Sequence, residues 1–323
     1  MSLADAPGPV AHRLAKVVGK WLDAYAPRGS AVTVACSGGA DSLALALVTA
    51  TEAVRQGHPI AAATVDHGLQ KGSARHAEQT SDVLRHMGYP DVKVLTVRVD
   101  GRGGMEAAAR RARYDALYPL AGTGAVLLGH TLDDQAETVL LGLSRGSGPR
   151  SIAGMAAYSR PYGRPFLGIR RADTEAACLE AGLTPWQDPH NVDPTFTRVR
   201  IRREVLPLLE DVLGGGVAAA LARTAGQLQE DGEVLDELAT GLARSALSGA
   251  ALTVDLLAPQ PAALRRRALR WWLIAAGVTG LTADHLVRVD RLLGNPAGNA
   301  AVRLPGQLDA EVEHGLLRLR PAH

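Results

Sequence analysis

The stretch Ala31-Val32-Thr33-Val34-Ala35-Cys36-Ser37-Gly38-Gly39-Ala40-Asp41-Ser42 decides the fold. Its first half, AVTVAC, is a short β-type run, and an apolar helical stretch follows the loop to about Arg55. A strand that feeds a helix through a Gly-Ser loop aims the free N–H groups of that helix into the crevice at the strand's carboxyl end, where ligands bind. Gly38 and Gly39 let the backbone approach a phosphate without a Cβ in the way. Ser37 and Ser42 add hydroxyls, and Asp41 is placed to cap the helix or help hold a cation. A tight turn with ordinary Ser and Asp caps would use the same residue types.

The alternation continues outward. Pro59–Val65, Asp91–Val97 and Ala125–Leu128 are further short apolar runs, each followed by a helical pattern, near Ala74–Met87, Met105–Leu120 and Asp133–Leu143. Runs of this length between helices predict βαβ units. The expected class is α/β, with a doubly wound, mostly parallel sheet covered on both faces. Past Leu143 the pattern changes. Ser144–Pro165, rich in Gly, Ser, Arg and Pro, reads as a loop with little regular structure. Thr174–Ala181 and Arg200–Leu209 read as short helices around the polar segment Trp186–Arg198.

Gly214-Gly215-Gly216 is the candidate linker, dividing residues 1–213 from a second, mainly helical domain at 217–323. There Ala218–Ser248, Ala262–Ala276 and Thr282–Leu293 are amphipathic, and Ala301–Leu319 alternates enough for a small hairpin or three-stranded piece.

Composition narrows the function classes. The 323 residues carry 35 Lys+Arg against 33 Asp+Glu, and 46% are hydrophobic, which excludes disorder, collagen and coiled coil for the whole chain. A formal charge of +2 argues against coating nucleic acid through the overall field, and leaves a local arginine patch open. Only Lys16, Lys20, Lys71 and Lys93 are lysines, so arginine counts alone carry little weight. Cys36 and Cys178, far apart, make neither a disulfide framework nor a Cys-rich metal site. The start, MSLADAPGPVAHRLAK, has no basic-then-apolar leader, and no uncharged apolar run reaches about 18 residues. A soluble, intracellular chain with no membrane partner is expected.

Two absences sharpen the reading of the first loop. Neither GxxxxGK[ST] nor GxGxxG after a strand occurs, so a Walker A site and a dinucleotide fingerprint are unsupported. A Gly-Ser loop without that lysine suits a pyrophosphate held as a leaving group. Asp66-His67-Gly68-Leu69 closes the second strand, as an Asx turn or as a second ligand-facing corner. Gly129-His130-Thr131-Leu132-Asp133-Asp134-Gln135-Ala136-Glu137-Thr138 is the second strong signal. On a helix His130, Asp134 and Glu137 line one face, and a helix beginning nearer Asp133 leaves His130 just before it. Such groups bind Mg2+ or exchange protons, unless the acids merely complement the helix dipole. Arg198, Arg200 and Arg202 alternate, which aims two or three guanidinium groups at phosphates or leaves a solvated arginine face.

SGGADS matches the SGGxDS loop of the N-type ATP pyrophosphatase, or PP-loop, superfamily. Within it, V-D-H-G-L with Ser73 and Glu78, and the block from His130 to Thr138, resemble signatures of the tRNA(Ile)-lysidine synthetases. So do Arg145-Gly146-Ser147-Gly148 running to Met155, and Asp188-Pro189-His190-Asn191-Val192-Asp193 with Phe196, Arg198 to Arg202 and Leu206-Pro207. His190 stands where Ser is usual and Val199 where Asn is usual, which puts any role of those two side chains in question. The resemblance covers about residues 30–210 and continues more loosely to the end.

That resemblance implies ATP and Mg2+ as the cofactors. It implies that Ser37, Gly38, Gly39, Ala40, Asp41, Ser42, Asp66 and His67 bind the nucleotide, and that Asp41 and Asp134 hold the metal. The catalytic set implied by the same likeness is Asp41, His130, Asp134, Glu137, Arg198 and Arg202, with His130 and Glu137 positioning the incoming amine or receiving its proton. The implied partners are a tRNA(Ile) with a CAU anticodon and free L-lysine. The implied reaction ligates lysine to C2 of the wobble cytidine through an adenylated intermediate, in the cytoplasm, and changes decoding from AUG to AUA. The oligomeric state is left open. Arg265-Arg266-Arg267 and Arg270 beside Trp271-Trp272 are either tRNA-contact material or a surface helix with a buried Trp face. The rival readings are a thiolating PP-loop enzyme and a non-catalytic nucleotide- or tRNA-binding module.

Overall fold

The computed structural model describes residues 8–68, 72–100, 104–144, 146, 148–294 and 301–322, so the motif residues Leu69, Arg145 and Ser147 lie outside the described residues. The chain begins α1 (Pro9–Tyr25), β1 (Val32–Ala35), α2 (Ala40–Arg55), β2 (Ile60–Asp66), α3 (Ser73–His86) and β3 (Val92–Thr96). It continues α4 (Met105–Leu117), β4 (Ala125–Leu128), α5 (Leu132–Leu143), α6 (Pro149–Ile152), β5 (Tyr158–Ser159), β6 (Tyr162–Gly163) and α7 (Arg171–Glu180). A continuous helical stretch then joins α8 (Thr197–Arg200), a π-helical turn at Ile201–Val205 and α9 (Leu206–Val212).

The first sheet has the order β3-β2-β1-β4-β6-β5. β1 lies between β2 and β4 and parallel to both, with Val34 opposite Ala62 on one side and Leu127 on the other. The chain winds outward through β2 and β3, then restarts at β4 on the other side of β1. This reversal opens a crevice at the carboxyl ends of β1 and β4, where the loops part. Period-two alternation buries both faces. Val32, Val34, Ala62 and Leu127 pack under α1, α2 and α3, while Ala63, Val126 and Leu128 pack with Leu117 of α4. Each fully buried Leu or Val contributes roughly 1.5–3 kcal/mol, which makes this sheet a stiff base for the loops above it.

The region after α5 is more regular than its composition suggests. The expected loop Ser144–Pro165 contains α6 and the antiparallel β5–β6 hairpin, whose β6 extends the sheet parallel to β4. Strands of two residues are too short to carry a periodicity. Helix α1 is a further element absent from the sequence-based expectation, although Leu14, Val18 and Leu22 form its buried stripe.

The remainder is α10 (Val217–Ala246), β7 (Leu247–Ser248), β8 (Ala251–Thr253), α11 (Val254–Leu257), α12 (Ala262–Ala275), α13 (Ala283–Gly294), β9 (Val302–Leu304), β10 (Leu308–Glu313) and β11 (Leu316–Pro321). Two compact units result, Met1–Ser144 with Gly154–Ala225, and Arg145–Ala153 with Gly226–His323. The glycine triplet precedes α10, whose Ala218 packs with Ala136, Ile201 and Leu206 in the first unit. Its Ala239, Ala243 and Ala246 belong to the core of the second, around Leu269, Trp272 and Leu273. The helices expected in that unit are present. The terminal β piece is larger than the sequence suggests: an antiparallel sheet of order β7-β8-β11-β10-β9. No single helix among the described residues is long and apolar enough to cross a membrane.

Candidate active site

A cavity of about 920 Å3 opens at the carboxyl ends of the parallel strands, wholly within the first unit. One wall is the Ser37–Ser42 loop. Gly38 takes φ +82°, and Gly39 caps α2. The first amides of α2, at Ala40, Asp41 and Ser42, have no intrahelical acceptor, and the helix dipole adds partial positive charge there. The Ser42 hydroxyl, buried, accepts from the Ser37 amide at 3.1 Å and lies within hydrogen-bond reach of the Gly39 carbonyl at 3.0 Å. The Ser37 hydroxyl is 3.2 Å from it. Ser42 thus ties the loop to itself.

The loop after β4 meets this wall at Gly129. A Cβ on Gly129 would stand 2.9 Å from the carbonyl carbon of Asp41 and 2.9 Å from the Ser42 nitrogen. Helix α5 then begins with a capping box. Thr131 is its N-cap, and Asp134 Oδ2 accepts from the Thr131 amide at 2.9 Å and from its hydroxyl at 3.0 Å. The other oxygen, Oδ1, accepts from Arg171 Nη2 at 2.8 Å and Arg202 Nη2 at 3.3 Å.

Arg171 is the site residue that the sequence motifs did not announce. Its Nε lies 3.3 Å from Asp41 Oδ2, so one guanidinium joins the acid of the first loop to the acid of α5. Thr174, one turn further along α7, donates to Asp41 Oδ1. A signal was present: Arg170 and Arg171 open α7, where a helix dipole disfavours cations, so partners were needed from elsewhere. Asp133 supplies some of them, accepting from the Arg171 amide at 2.8 Å and pairing with Arg170 at 3.0 Å.

The alternating arginines separate by helical geometry. Arg198 and Arg202, one turn apart, both face Glu137, whereas Arg200 pairs with Glu204 on the exposed side. Arg202 holds Glu137 by Nε to Oε1 at 2.7 Å and Nη2 to Oε2 at 3.1 Å. Glu137 is fully buried and, like Arg198, does not line the cavity; Arg202 does.

His130 precedes α5 and lines the cavity together with Asp66, His67 and Arg113. Asp66 does make an Asx turn, accepting from the Gly68 amide at 2.9 Å. The Nδ1 atoms of His67 and His130 and the Nε of Arg113 are buried with no hydrogen-bond partner. Burial, then the nearby Arg113 charge, pulls the His130 imidazole down to about 3, so it is neutral at ordinary pH. Burial pushes the Asp41 carboxyl up against the pull of Arg171 and Thr174. Burial would raise Asp134 as well, but Arg171, the Thr131 amide and Arg202 together hold it below the usual carboxylate range. Glu137 is raised, by burial against Arg202.

The two residues that depart from the family pattern sit differently. His190 lines the cavity, with Nδ1 3.6 Å from Asp188 and its ring edge-on to Phe196. Val199 is buried. In the second unit Arg265 and Arg266 are occupied by Asp290, Arg267 pairs with Asp236, and buried Trp272 donates to the Ala250 carbonyl. Three arginines of α12 thus meet acids of α10 and α13, and Trp272 turns inward.

The Ser37–Ser42 loop after β1, lining one cavity with Asp134 of the helix after β4, defines a class. Residues 9–209 match the family model described as the PP-loop domain, and the chain is a PP-loop protein. The fold agrees with a U34-tRNA thiolase from Methanococcus maripaludis that carries a [4Fe-4S] cluster, at TM-score 0.55 over 68% of this chain and 80% of that one, with 17% identity. Residues 252–318 match the model described as the TilS substrate binding domain. The tRNA(Ile)-lysidine synthase of Nocardia farcinica is 54% identical over 306 residues, covering 93% of this chain and 95% of its own length. That of Rhodococcus erythropolis is 54% identical over 95% of this chain and 92% of its own. The chain belongs to the tRNA(Ile)-lysidine synthase family.

Proposed function

We propose that the protein ligates free L-lysine to C2 of the wobble cytidine in a CAU-anticodon tRNA(Ile), converting ATP to AMP and pyrophosphate. The observation that carries this reading is a single cavity with the Ser37–Ser42 amides on one wall and the Asp41–Arg171–Asp134 bridge on another. The cytosine C2 oxygen attacks the α-phosphorus of ATP, and the bond to pyrophosphate breaks. The lysine ε-amine then attacks C2, the C–O bond breaks and AMP departs with the oxygen, while the amine loses its proton. The base must leave its stack to present that edge. Charge growing on pyrophosphate meets preorganised amides and Arg171, the kind of stabilisation that dominates such reactions.

A Mg2+ ion fits the acids unequally. Asp41 has hard oxygen donors, is held by Arg171 only at 3.3 Å, and is raised by burial, which marks a carboxylate short of positive charge. Asp134 already accepts four hydrogen bonds. Asp41 would therefore hold the ion, while Asp134 orients Arg171 and Arg202. The metal would supply Lewis-acid polarisation of the phosphates. His130, neutral, would hydrogen-bond rather than act as a standing cation. Glu137, behind Arg202, orients that guanidinium.

A thiolating activity fits poorly. Cys36 and Cys178 are both buried, with the thiols donating to Ser42 Oγ and the Ala40 carbonyl, and burial pushes Cys178 up to about 12. Neither is a ready thiolate. The test is ATP-dependent transfer of labelled lysine onto bulk tRNA. Lysine incorporation supports ligation. Sulfur incorporation, or nucleotide binding without turnover, refutes it. A cytoplasmic location goes with these substrates.

A further inference from the structure

The Ser37–Ser42 loop is held by two residues, His76 and Trp186, that belong to none of the signatures quoted above. His76 of α3 approaches the Ser37 carbonyl with Nε2 at 2.9 Å. A carbonyl only accepts, so Nε2 carries the proton and donates. The next carbonyl, Gly38 O, accepts from the backbone amide of Trp186 at 2.9 Å. The two side chains stack on each other, ring centroids 3.9 Å apart and planes 27° from parallel. Both line the cavity.

The absence of a side chain at Gly38 is part of the same arrangement. A Cβ there would stand 2.6 Å from the imidazole of His76 and 2.7 Å from the hydroxyl of Thr80, which itself lies 3.3 Å from His76 Nε2. The second residue of SGGADS is therefore glycine for its φ of +82° and for the approach of His76.

We propose that His76 and Trp186 act as positioning residues that brace the phosphate loop, tethering two successive carbonyls so that the amides of the same peptide planes keep one fixed orientation for the phosphates. Turning a peptide plane reverses its N–H and C=O together, so tethering the carbonyls of Ser37 and Gly38 orients the N–H groups of Gly38 and Gly39. Donors oriented before the ligand arrives need no reorganisation when charge develops. Trp186 belongs to the segment between α7 and α8, and the stack keeps its backbone amide over Gly38. The inference rests on the reading of this loop as a pyrophosphate cradle.

The experiment measures equilibrium binding of inorganic pyrophosphate and of AMP to the full chain, together with KM for ATP and for lysine. His76→Ala and Trp186→Leu are expected to weaken pyrophosphate binding roughly five- to tenfold, the worth of about one well-made hydrogen bond. AMP affinity and KM for lysine stay within about twofold. Trp186→Phe keeps a ring on His76 and restores pyrophosphate binding. A merely structural role would lower all affinities in parallel. Unchanged pyrophosphate binding in both variants, or an equal loss for AMP, overturns the brace. A wild-type chain that binds no pyrophosphate overturns the cradle itself, and the brace with it. If His76→Ala does not fold, Trp186→Leu, which leaves the donating amide in place, decides the matter alone.

Discussion

Arg202 grips Glu137 with both arms of its guanidinium, Nε to Oε1 at 2.7 Å and Nη2 to Oε2 at 3.1 Å, across 65 residues of chain. The bidentate pair fastens the helical stretch of α8 and α9 to α5, and Arg202 Nη2 also reaches Asp134. Glu137 is sealed behind it. A residue that looks catalytic by its position in the sequence thus meets Arg202 rather than the cavity.

Removing the arginine leaves a buried carboxylate without its main partner. Breaking a buried pair costs ~3–5 kcal/mol in general. Arg171 and Arg198, each 3.9 Å from Glu137, soften that here. Arg202→Ala should lower unfolding free energy by about 2 kcal/mol in urea titrations. The double variant Arg202→Ala/Glu137→Gln should recover most of the stability and none of the activity. Recovery of activity with stability would contradict the role of Glu137 in orienting Arg202.

Asp134→Asn keeps the shape of the capping box and removes the charge that Arg171 and Arg202 share. Pyrophosphate release should fall ~100-fold or more, the scale of losing one preorganised electrostatic contact. The melting temperature should fall as well, because the amide NH2 must face either the Thr131 donors or the two guanidinium groups. Normal release kinetics would remove Asp134 from the chemistry.

Gly129→Ala tests the contact between the two motif loops. The new methyl would press on the Asp41 carbonyl and the Ser42 nitrogen, which are backbone atoms and cannot swing aside. A cost of ~1–3 kcal/mol is expected from overpacking, with weaker ATP binding. Thermal melting and nucleotide titration check both.

His130 gives stability a pH dependence. Its folded-state value, about 3, lies below the ordinary 6.5, so between those limits the unfolded chain binds the extra proton. Stability from this source is complete above the ordinary value and declines as pH falls through the window. His67, also lowered by burial, acts in the same direction. The melting temperature should drop between about pH 7 and pH 5, and His130→Gln should flatten part of that slope. An unchanged slope in the variant would mean that His130 is not held neutral.

Much of the catalytic unit was legible in the chain because its signals are local. Apolar runs of four to seven residues, each followed by a helical period, announce βαβ units, and Gly-Ser loops at their ends announce an anion site. SGGADS and the run from His130 to Glu137 lie within single loops and turns, so the spacing of their residues already limits where their side chains point. The glycine triplet was legible as punctuation. That the next helix, α10, contributes to both cores was not, since an amphipathic stripe does not name its partners.

The tertiary structure alone decided which charges meet. Arg171 lies 130 residues from Asp41, and Trp186 binds a carbonyl in a loop far earlier in the chain. No periodicity encodes such pairs, because they arise only where the parallel sheet brings the ends of β1 and β4 together. The sequence determined the strands, the helices and the anion-seeking loop through short-range sterics and hydrophobic spacing. Burial of acids beside arginines, and with it each residue's protonation and task, depends on distances that exist only once the chain has closed on itself.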